Sequence, residues 1–336
     1  MIALSDERAG RATEQGRYPD FFIVGHAKCG TSALYEMLRL HPQIFMPKLK
    51  EPWYFSRSNP QALPASERTV EVTGRVPMSE EEYLALFADA KPGQRIGEGS
   101  TSYLWSPTAA AAIAAAQPSA RIIAILREPA IFLRSLHLQL LTNVTESEKD
   151  LRKALALDDS RRQGREIPRY AFWPGALIYS DRVRYVEQLR RYHAVFPREQ
   201  VLVLIYDDFR ADNEGTVRQV LRFLDVDDSW PVQLVEARRT DRRVRSWRLN
   251  EVVQVLNHGR GPVSGALKAA VQRLTTREQR KRWLYPIKRR IMYGDPGTPD
   301  DEFMTELRRR FKPEVVAASE YLQRDLVALW GYDQLD

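Results

Sequence analysis

The sequence predicts an α/β fold in three layers, in which helices flank a central parallel sheet and the C-terminal part is mostly helical. Short β-rich runs alternate with helical patterns through the first two thirds of the chain. These runs are apolar at nearly every position, as in strands that are covered on both faces. With 336 residues the chain is also long enough to bury a substantial core. We therefore expect one α/β domain.

Four units of strand and helix support this prediction in order. The predicted strands are FFIVG (21–25), RIGEGS (95–100), RIIAIL (121–126) and VLVLIY (201–206). The helices that follow them are predicted at 31–40, within 107–117, through 133–141 and at 213–224. Alternation of this kind is typical of a parallel sheet with helical crossovers.

The C-terminal part is predicted to be mostly helical. Thr298, Pro299 and Asp301 have the pattern of a cap, a first helical residue and a capping-box acid, and predict a helix toward Phe311. A last helix is predicted at 313–329. The resulting division is a mobile tail at 1–17 and a single domain at 18–336, with the α/β core at 18–235 and the helical region at 236–336.

Composition limits the function classes. The 51 Lys and Arg residues against 44 Asp and Glu give a net charge of +7, which favours anionic ligands. Cys29 is the single cysteine, so an internal disulfide is excluded and a cysteine-based zinc site is not expected. The charged N-terminus lacks a signal-peptide core, and no apolar run has the length of a membrane span. We therefore expect a soluble, cytoplasmic protein.

The stretch FFIVGHAKCGTSALYEMLRLHP, residues 21–42, predicts a phosphate-binding loop between a strand and a helix. Gly25, Gly30 and Ser32 fit the pattern G-x-x-x-x-G-K-[ST], but Thr31 stands at the lysine position. The lysine lies three residues earlier, at Lys28. Free amides at a helix N-terminus bind anions, and the two hydroxyls and the lysine would add to such a site. A plain turn between strand and helix is the alternative.

A second anion site is indicated by the end of the strand RIIAIL. Nucleoside triphosphatases need an acid near this point to help hold magnesium. Here the strand is followed by Arg127 instead. A cation at this point indicates a second anion and not a metal, so the loop is predicted to serve a phosphate-like group whose transfer needs no cation.

Together these motifs resemble sulfotransferases that use 3′-phosphoadenosine 5′-phosphosulfate (PAPS). VGHAKCGTSALYEMLRLHPQI resembles the loop for the 5′-phosphosulfate, and PKLKEPWYF resembles a stretch found in the heparan and carbohydrate branch. RIIAILREPAIFLRSLHLQ resembles the 3′-phosphate motif, with Arg127 and Ser135 eight residues apart. With GEGSTSYLW and VLVLIYDDF, the resemblance covers about residues 20–225. It implies a P-loop-like fold, PAPS as co-substrate, 3′-phosphoadenosine 5′-phosphate (PAP) as product and no required metal.

The resemblance also implies roles for individual residues. Lys28 would stabilise the bridging oxygen of the donor as an electrophile or general acid. Glu51 would be the base that accepts the acceptor proton, in an apolar setting of the kind that favours a carboxylate base. The donor-binding residues would be Lys28, Cys29, Gly30, Thr31, Ser32, Arg127 and Ser135. One departure is Phe132, where many members carry a further arginine and where this chain has Arg134 two places on.

Several alternatives stay open. Glu51 could instead be a loop-end carboxylate paired with Lys48 or Lys50. His26 and His137 are alternative bases, whereas His41 has the position of a helix-end residue that complements the helix dipole. Cys29 is interpreted as a small loop residue and not as a nucleophile.

Two rival functions differ in class. A P-loop kinase or nucleotide hydrolase would depend on magnesium, and Thr31 at the lysine position argues against it. A nucleic-acid-binding protein could use the arginine- and tryptophan-rich stretch at 238–293, but the loop, Glu51 and Arg127 would then have no explanation. We therefore predict sulfuryl transfer to a sugar, glycolipid or natural product, with no nucleic-acid partner. A phenol or an amine is also an open acceptor, and the oligomeric state is not predicted.

Overall fold

A five-stranded parallel sheet forms the centre of the molecule. The computed structural model describes residues 17–56, 79–168, 171, 173–235, 243–244, 293–294 and 298–335. The strands are β1 (Phe21–Gly25), β2 (Ile44–Phe45), β3 (Arg95–Gly99), β4 (Arg121–Leu126) and β5 (Val201–Ile205). Their order across the sheet is β2-β3-β1-β4-β5, and all neighbours are parallel. The four predicted strands and the parallel sheet are confirmed.

The edge strand β2 was not predicted. It pairs only Ile44 with Arg95 and Phe45 with Ile96. A strand of two residues carries no periodic pattern, so its position follows from its partner β3 and not from its own sequence.

The described residues outside the sheet are mostly helical. The helices are α1 (Thr31–Arg39), α2 (Glu80–Leu84), α3 (Ala109–Ala116), α4 (Pro129–Thr142), α5 (Leu151–Ala156), α6 (Asp158–Arg162), α7 (Tyr179–Arg182), α8 (Tyr185–His193), α9 (Tyr206–Ala211), α10 (Asn213–Phe223), α11 (Asp301–Leu322) and α12 (Leu326–Leu329). A separate antiparallel pair joins β6 (Arg243–Val244) to β7 (Tyr293–Gly294).

The helices flank both faces of the sheet. The connection from β1 to β2 runs in one direction along the sheet, whereas those from β3 to β4 and from β4 to β5 run in the other. Right-handed crossovers therefore place α1 on one face and α3, α4 and α8 on the opposite face. The packing agrees, because α1 contacts α10 while α11 packs against α4 and α8. The predicted three-layer architecture is thus confirmed.

The sheet lies at the core and sets the position of the site. Phe21, Phe22, Ile23 and Val24 of β1 are fully buried. Since the strands are parallel, their carboxyl ends meet at one edge of the sheet. The residues that follow β1, β3, β4 and β5 therefore come together there, which is where open α/β sheets bind ligands.

The C-terminal helix differs from its prediction in two ways. Its N-cap is Asp300, whose carboxylate accepts a hydrogen bond from the Phe303 amide at 3.1 Å, and not the predicted Thr298 with Pro299. The helix also continues through Pro313 to Leu322 instead of ending near Phe311. Its buried side chains form one apolar stripe on both sides of the proline, so packing outweighs the hydrogen bond that the proline removes. These side chains are Met304, Leu307, Phe311, Val315 and Ala318.

Some predictions fall on residues that the structure does not describe. The predicted tail lies outside the described residues except for Arg17, which donates a hydrogen bond to the Gln94 carbonyl at 2.8 Å. Most of the arginine- and tryptophan-rich stretch at 238–293 also lies outside them. None of the helices in the described ranges is both long and apolar enough to cross a membrane.

Candidate active site

The loop at residues 26–30 joins β1 to α1 and forms the centre of the candidate site. Gly30 caps α1 with a left-handed φ of 82°, and no side chain caps the helix. A Cβ atom at Gly30 would lie 2.9 Å from carbons of the Phe209 ring, so glycine is required there for space as well as for conformation. The amides of Thr31 and Ser32 have no acceptor one turn earlier in the helix. This geometry suits an anion.

The loop is supported from behind by α9 and by the C-terminal end of the chain. The Gly30 backbone faces Tyr206 and Phe209 of α9. Trp330 donates a hydrogen bond from its indole to Asp207 at 2.9 Å, and Arg324 forms an ion pair with Asp208. The C-terminal segment therefore holds the helix against which the loop packs.

Arg127 lies directly beside the loop. Its Nη1 donates a hydrogen bond to the Lys28 carbonyl at 2.8 Å, and its guanidinium carbon lies 4.6 Å from the Tyr206 ring centroid. The Tyr185 hydroxyl donates to the Arg127 carbonyl at 2.7 Å. A guanidinium has five N–H donors, so Arg127 can donate to the loop and bind an anion at the same time.

Ser135 lies on the helix that follows Arg127. This helix, α4, begins at Pro129 and is capped by Glu128, which accepts hydrogen bonds from the amides of Ala130 and Ile131 at 3.1 and 2.6 Å. Ser135 lies two turns into the helix and is buried. Its assignment to a 3′-phosphate stays a prediction, and that phosphate would have to enter an enclosed site.

The departure at residue 132 has a structural explanation. Phe132 is fully buried, and its ring centroid lies 4.9 Å from that of His26. This position packs against the loop from the core side, so a charged group there would be buried without benefit.

Glu51 is connected to the loop by one lysine. Lys50 Nζ lies 3.1 Å from the Ser32 hydroxyl and 3.0 Å from Glu51 Oε1. The Trp53 indole donates a hydrogen bond to Glu51 Oε2 at 3.2 Å. The pairing with Lys50 that the sequence left open is therefore present. The same lysine brings the carboxylate to the first turn of α1, so the pair is compatible with a base at the donor site.

The segment that carries Glu51 is bound to the residues after β3. The Glu51 amide donates to the Gly99 carbonyl at 3.0 Å, and the Trp53 amide donates to the Ser100 hydroxyl at 3.1 Å. Further along, the Phe55 amide lies 3.3 Å from the Tyr103 hydroxyl. These bonds hold Glu51 and Trp53 in left-handed conformations, with φ of 61° and 56°. The sheet thus fixes the position of the candidate base.

A buried carboxyl lies under this segment. Glu98 accepts hydrogen bonds from the hydroxyls of Tyr83 and Tyr103, at 3.0 and 2.8 Å. Burial raises the pKa of Glu98 to about 7, against the opposing effect of its hydrogen bonds. The sequence used this region only for a strand and for the resemblance, so the buried Glu98 was not predicted. The pairing of Glu51 with Lys50 was an open alternative, but the contact of Lys50 with Ser32 was not predicted. The hydroxyl residues that follow β3 were the available signal.

The histidines are in structural surroundings. His26 is fully buried, and its Nε2 donates to the Gln188 side-chain oxygen at 2.7 Å, because the Gln188 amide nitrogen already donates to two carbonyls. Burial holds the pKa of His26 well below its usual value. His137 is buried between the Tyr179 hydroxyl and the Lys149 carbonyl, and His41 contacts the Asp227 carbonyl. Neither His26 nor His137 therefore has the surroundings of an exposed base.

Cys29 has its side chain inside the core. The thiol is fully buried and lies 3.5 Å from the Ala27 carbonyl. Burial raises the pKa of the Cys29 thiol to about 12, so the group stays protonated at neutral pH. Only the backbone of Cys29 remains for a ligand. In the described part of the chain, no group of three His, Cys, Asp or Glu side chains is arranged to hold a metal.

Comparisons with known proteins assign the family. The model of the "Sulfotransferase family" matches residues 19–231. Human carbohydrate sulfotransferase 15 is 27% identical over 251 residues, which cover 62% of this chain and 44% of that protein, and the mouse protein has the same values. The chain thus spans less than half the length of these relatives.

A solved structure supports the same assignment over most of the fold. The sulfotransferase from Alicyclobacillus acidocaldarius superposes with a TM-score of 0.64 and 25% identity, covering 93% of this chain and 98% of that one. The similarity thus extends beyond the residues that the family model matches. The motifs, the parallel sheet and these matches agree, and the chain belongs to the sulfotransferase family.

Proposed function

We propose that the protein transfers the sulfuryl group of PAPS to a hydroxyl, or an amine, of a sugar, glycolipid or natural product. The observation that carries this proposal is the link from Ser32 through Lys50 to Glu51, at 3.1 and 3.0 Å. It holds a carboxylate beside an anion-binding helix N-terminus. A hydroxyl acceptor loses its proton as it attacks sulfur, and a carboxylate held at this point can accept that proton.

The residues at the carboxyl edge of the sheet fit the donor. The open amides at Thr31 and Ser32 suit the 5′-phosphosulfate, with Lys28 and the backbone of Cys29 beside it. Arg127 and Ser135 would bind the 3′-phosphate, for which a guanidinium is the favoured partner. This assignment rests on the fit of charge and hydrogen-bond donors.

The chemistry is an in-line displacement in which the protein positions the reactants and stabilises charge. The acceptor oxygen bonds to sulfur as the bond from sulfur to the bridging oxygen breaks. Glu51 takes the proton of the acceptor hydroxyl, and Lys28 stabilises the negative charge on the PAP leaving group or donates a proton to it. Lys50 holds Glu51 in place from the side of the loop.

A carbohydrate acceptor is the best-supported choice. The relatives named above are carbohydrate sulfotransferases. The Trp53 ring lies next to Glu51 and packs edge-on against Trp173 at 4.9 Å between centroids. Flat aromatic faces with a few polar groups are typical of sites for ring-shaped ligands.

The proposal is tested by a binding screen with PAPS, PAP, ATP and adenylyl sulfate, each with and without magnesium. We expect the affinity for PAPS, and likewise that for PAP, to be the same with and without magnesium. Both should bind more tightly than ATP and adenylyl sulfate. Binding of ATP that depends on magnesium would overturn the proposal in favour of a kinase or nucleotide hydrolase.

A further inference from the structure

Arg182 is a buried cation without an anionic partner. It is the last residue of α7, and only 3% of its surface is exposed. Among the described residues, neither its Nε nor its Nη1 has a hydrogen-bond partner. The adjacent Asp181 forms its ion pair with Arg162 instead, at 2.8 Å. Burial lowers the pKa of Arg182 to about 9, so the guanidinium still carries its charge at neutral pH.

The other buried arginine of the described core shows what such a group normally requires. Arg161 is 2% exposed and donates from Nη1 and Nη2 to the two oxygens of Glu146, each at 2.8 Å. Nη1 also donates to the Leu177 carbonyl at 3.1 Å. Burial of a charge is costly unless it is paired in this way. Among the described residues Arg182 has no carboxylate of this kind, so its Nε and Nη1 remain available to a ligand.

Tryptophan side chains connect Arg182 to the candidate base. The Arg182 guanidinium carbon lies 4.3 Å from the ring centroid of Trp105. Trp105 and Trp173 are 6.3 Å apart between centroids, and Trp173 and Trp53 are 4.9 Å apart. Trp53 in turn donates its indole hydrogen bond to Glu51. We call these three rings the tryptophan strip.

We propose that Arg182 binds an oxyanion group of the acceptor, a carboxylate or a sulfate ester, while the tryptophan strip contacts the ring that carries it. This subsite rests on the proposed function, because it places the acceptor hydroxyl at Glu51. A guanidinium favours such groups because its N–H donors match their oxygens. The subsite selects negatively charged sugars over neutral ones.

Arg182 also lies close to the donor loop, so a role toward the donor must be distinguished. Its charge contributes to the low pKa of the buried His26, and the Cys29 thiol is another of its neighbours. A donor role would change the affinity for PAP. An acceptor role would leave that affinity unchanged and would alter the preference between charged and neutral sugars.

The test uses pairs of sugars that differ in one charged group. Calorimetric titrations of the PAP-saturated protein compare p-nitrophenyl β-D-glucuronide with the glucoside, and p-nitrophenyl β-D-galactoside 6-sulfate with the galactoside. The first pair tests a carboxylate and the second a sulfate ester. We expect at least one charged sugar to bind about 10 to 100-fold more tightly than its neutral partner. Arg182→Met should abolish this preference, and Arg182→Lys should keep part of it.

Controls separate this proposal from the proposed function and from a folding effect. Arg184→Met removes a half-exposed arginine that pairs with Glu187, and it should keep the preference. Arg182→Met should leave the melting temperature unchanged or raise it, and should change PAP affinity less than twofold. A lower melting temperature, a parallel loss of PAP affinity, or no preference in the wild type would each overturn the subsite. Failure of the wild type to bind PAP would instead overturn the proposed function.

Discussion

Arg127 donates a hydrogen bond to the carbonyl oxygen of Lys28, with 2.8 Å between Nη1 and the oxygen. The residue assigned to the 3′-phosphate therefore also supports the loop assigned to the 5′-phosphosulfate. The two proposed subsites for the donor are thus joined by one hydrogen bond. Mutations at the end of β4 should consequently affect both ends, in unequal amounts.

Arg127→Ala should weaken PAP by about 10 to 100-fold, because charge-assisted hydrogen bonds to the 3′-phosphate are lost. Adenosine 5′-phosphate lacks that group and should lose only a few-fold, through the loosened loop. Ser135→Ala, which leaves the Lys28 contact intact, should affect PAP alone. Titration of both ligands at fixed ionic strength measures these changes, since salt screens charged contacts. Equal losses for both ligands in Ser135→Ala would remove Ser135 from the 3′-phosphate site.

Glu51→Gln should lower turnover by about 10² to 10⁴-fold, the usual range for loss of a general base, while PAP binding stays nearly intact. The amide keeps the shape of the side chain and an acceptor for the Trp53 indole. Glu36→Gln is a matched control, because Glu36 is a surface carboxylate of α1 paired with Arg39. Turnover at the wild-type level in Glu51→Gln would show that another group takes the proton.

Lys28→Ala should lower both donor affinity and turnover, with the larger effect on turnover. The positive charge is needed more as negative charge develops on the bridging oxygen. Lys48→Ala removes an exposed lysine two residues before Lys50 and serves as the control. Titration with PAP and a turnover assay, with and without magnesium, measure both effects. Rescue by magnesium would contradict a site that works without a metal.

The stability of the protein should fall as the pH rises through about 7, because Glu98 loses its proton there. Its pKa is raised in the folded state, so the folded protein holds this proton more tightly than the unfolded chain does. The resulting stabilisation is fully present below the unfolded pKa and is lost as the pH rises through the folded pKa. Over the range from the unfolded to the folded pKa we expect a change of about 3 kcal/mol in the free energy of unfolding. Glu98→Gln should remove it, as melting curves from pH 5 to 8.5 would show. Parallel curves for both proteins would contradict this assignment.

The sequence predicted the parts of the fold that have strong local patterns. The strands β1, β4 and β5 were predicted from nearly continuous apolar runs, as expected where both faces of a sheet are covered. The strand β3, RIGEG, is less apolar and was predicted from its place in the alternation of strands and helices. The helix across Pro313 was divided in error, because the stripe from Met304 to Ala318 stabilises it through contacts that are remote in sequence. Local rules cannot include such contacts.

Within the candidate site, the sequence identified residues but not their arrangement. The loop and Arg127 were predicted from their positions at strand ends, and the structure places them in direct contact. The contact from Lys50 to Ser32 joins residues 18 positions apart. The bonds from Glu51 to Gly99 and from Trp53 to Ser100 join segments that are more remote still, with 47 positions between Trp53 and Ser100. The unpaired state of Arg182 is likewise a property of its three-dimensional neighbours.

The attachment of the C-terminal segment to α9 has a consequence for genetic screens. Trp330 and Arg324 hold Asp207 and Asp208, and the same helix packs against Gly30. A selection for weaker or stronger use of the donor should therefore recover substitutions more than a hundred residues away from the loop, at positions that contact α9. Suppressors of a loop mutation should map to this distant segment as readily as to the loop itself.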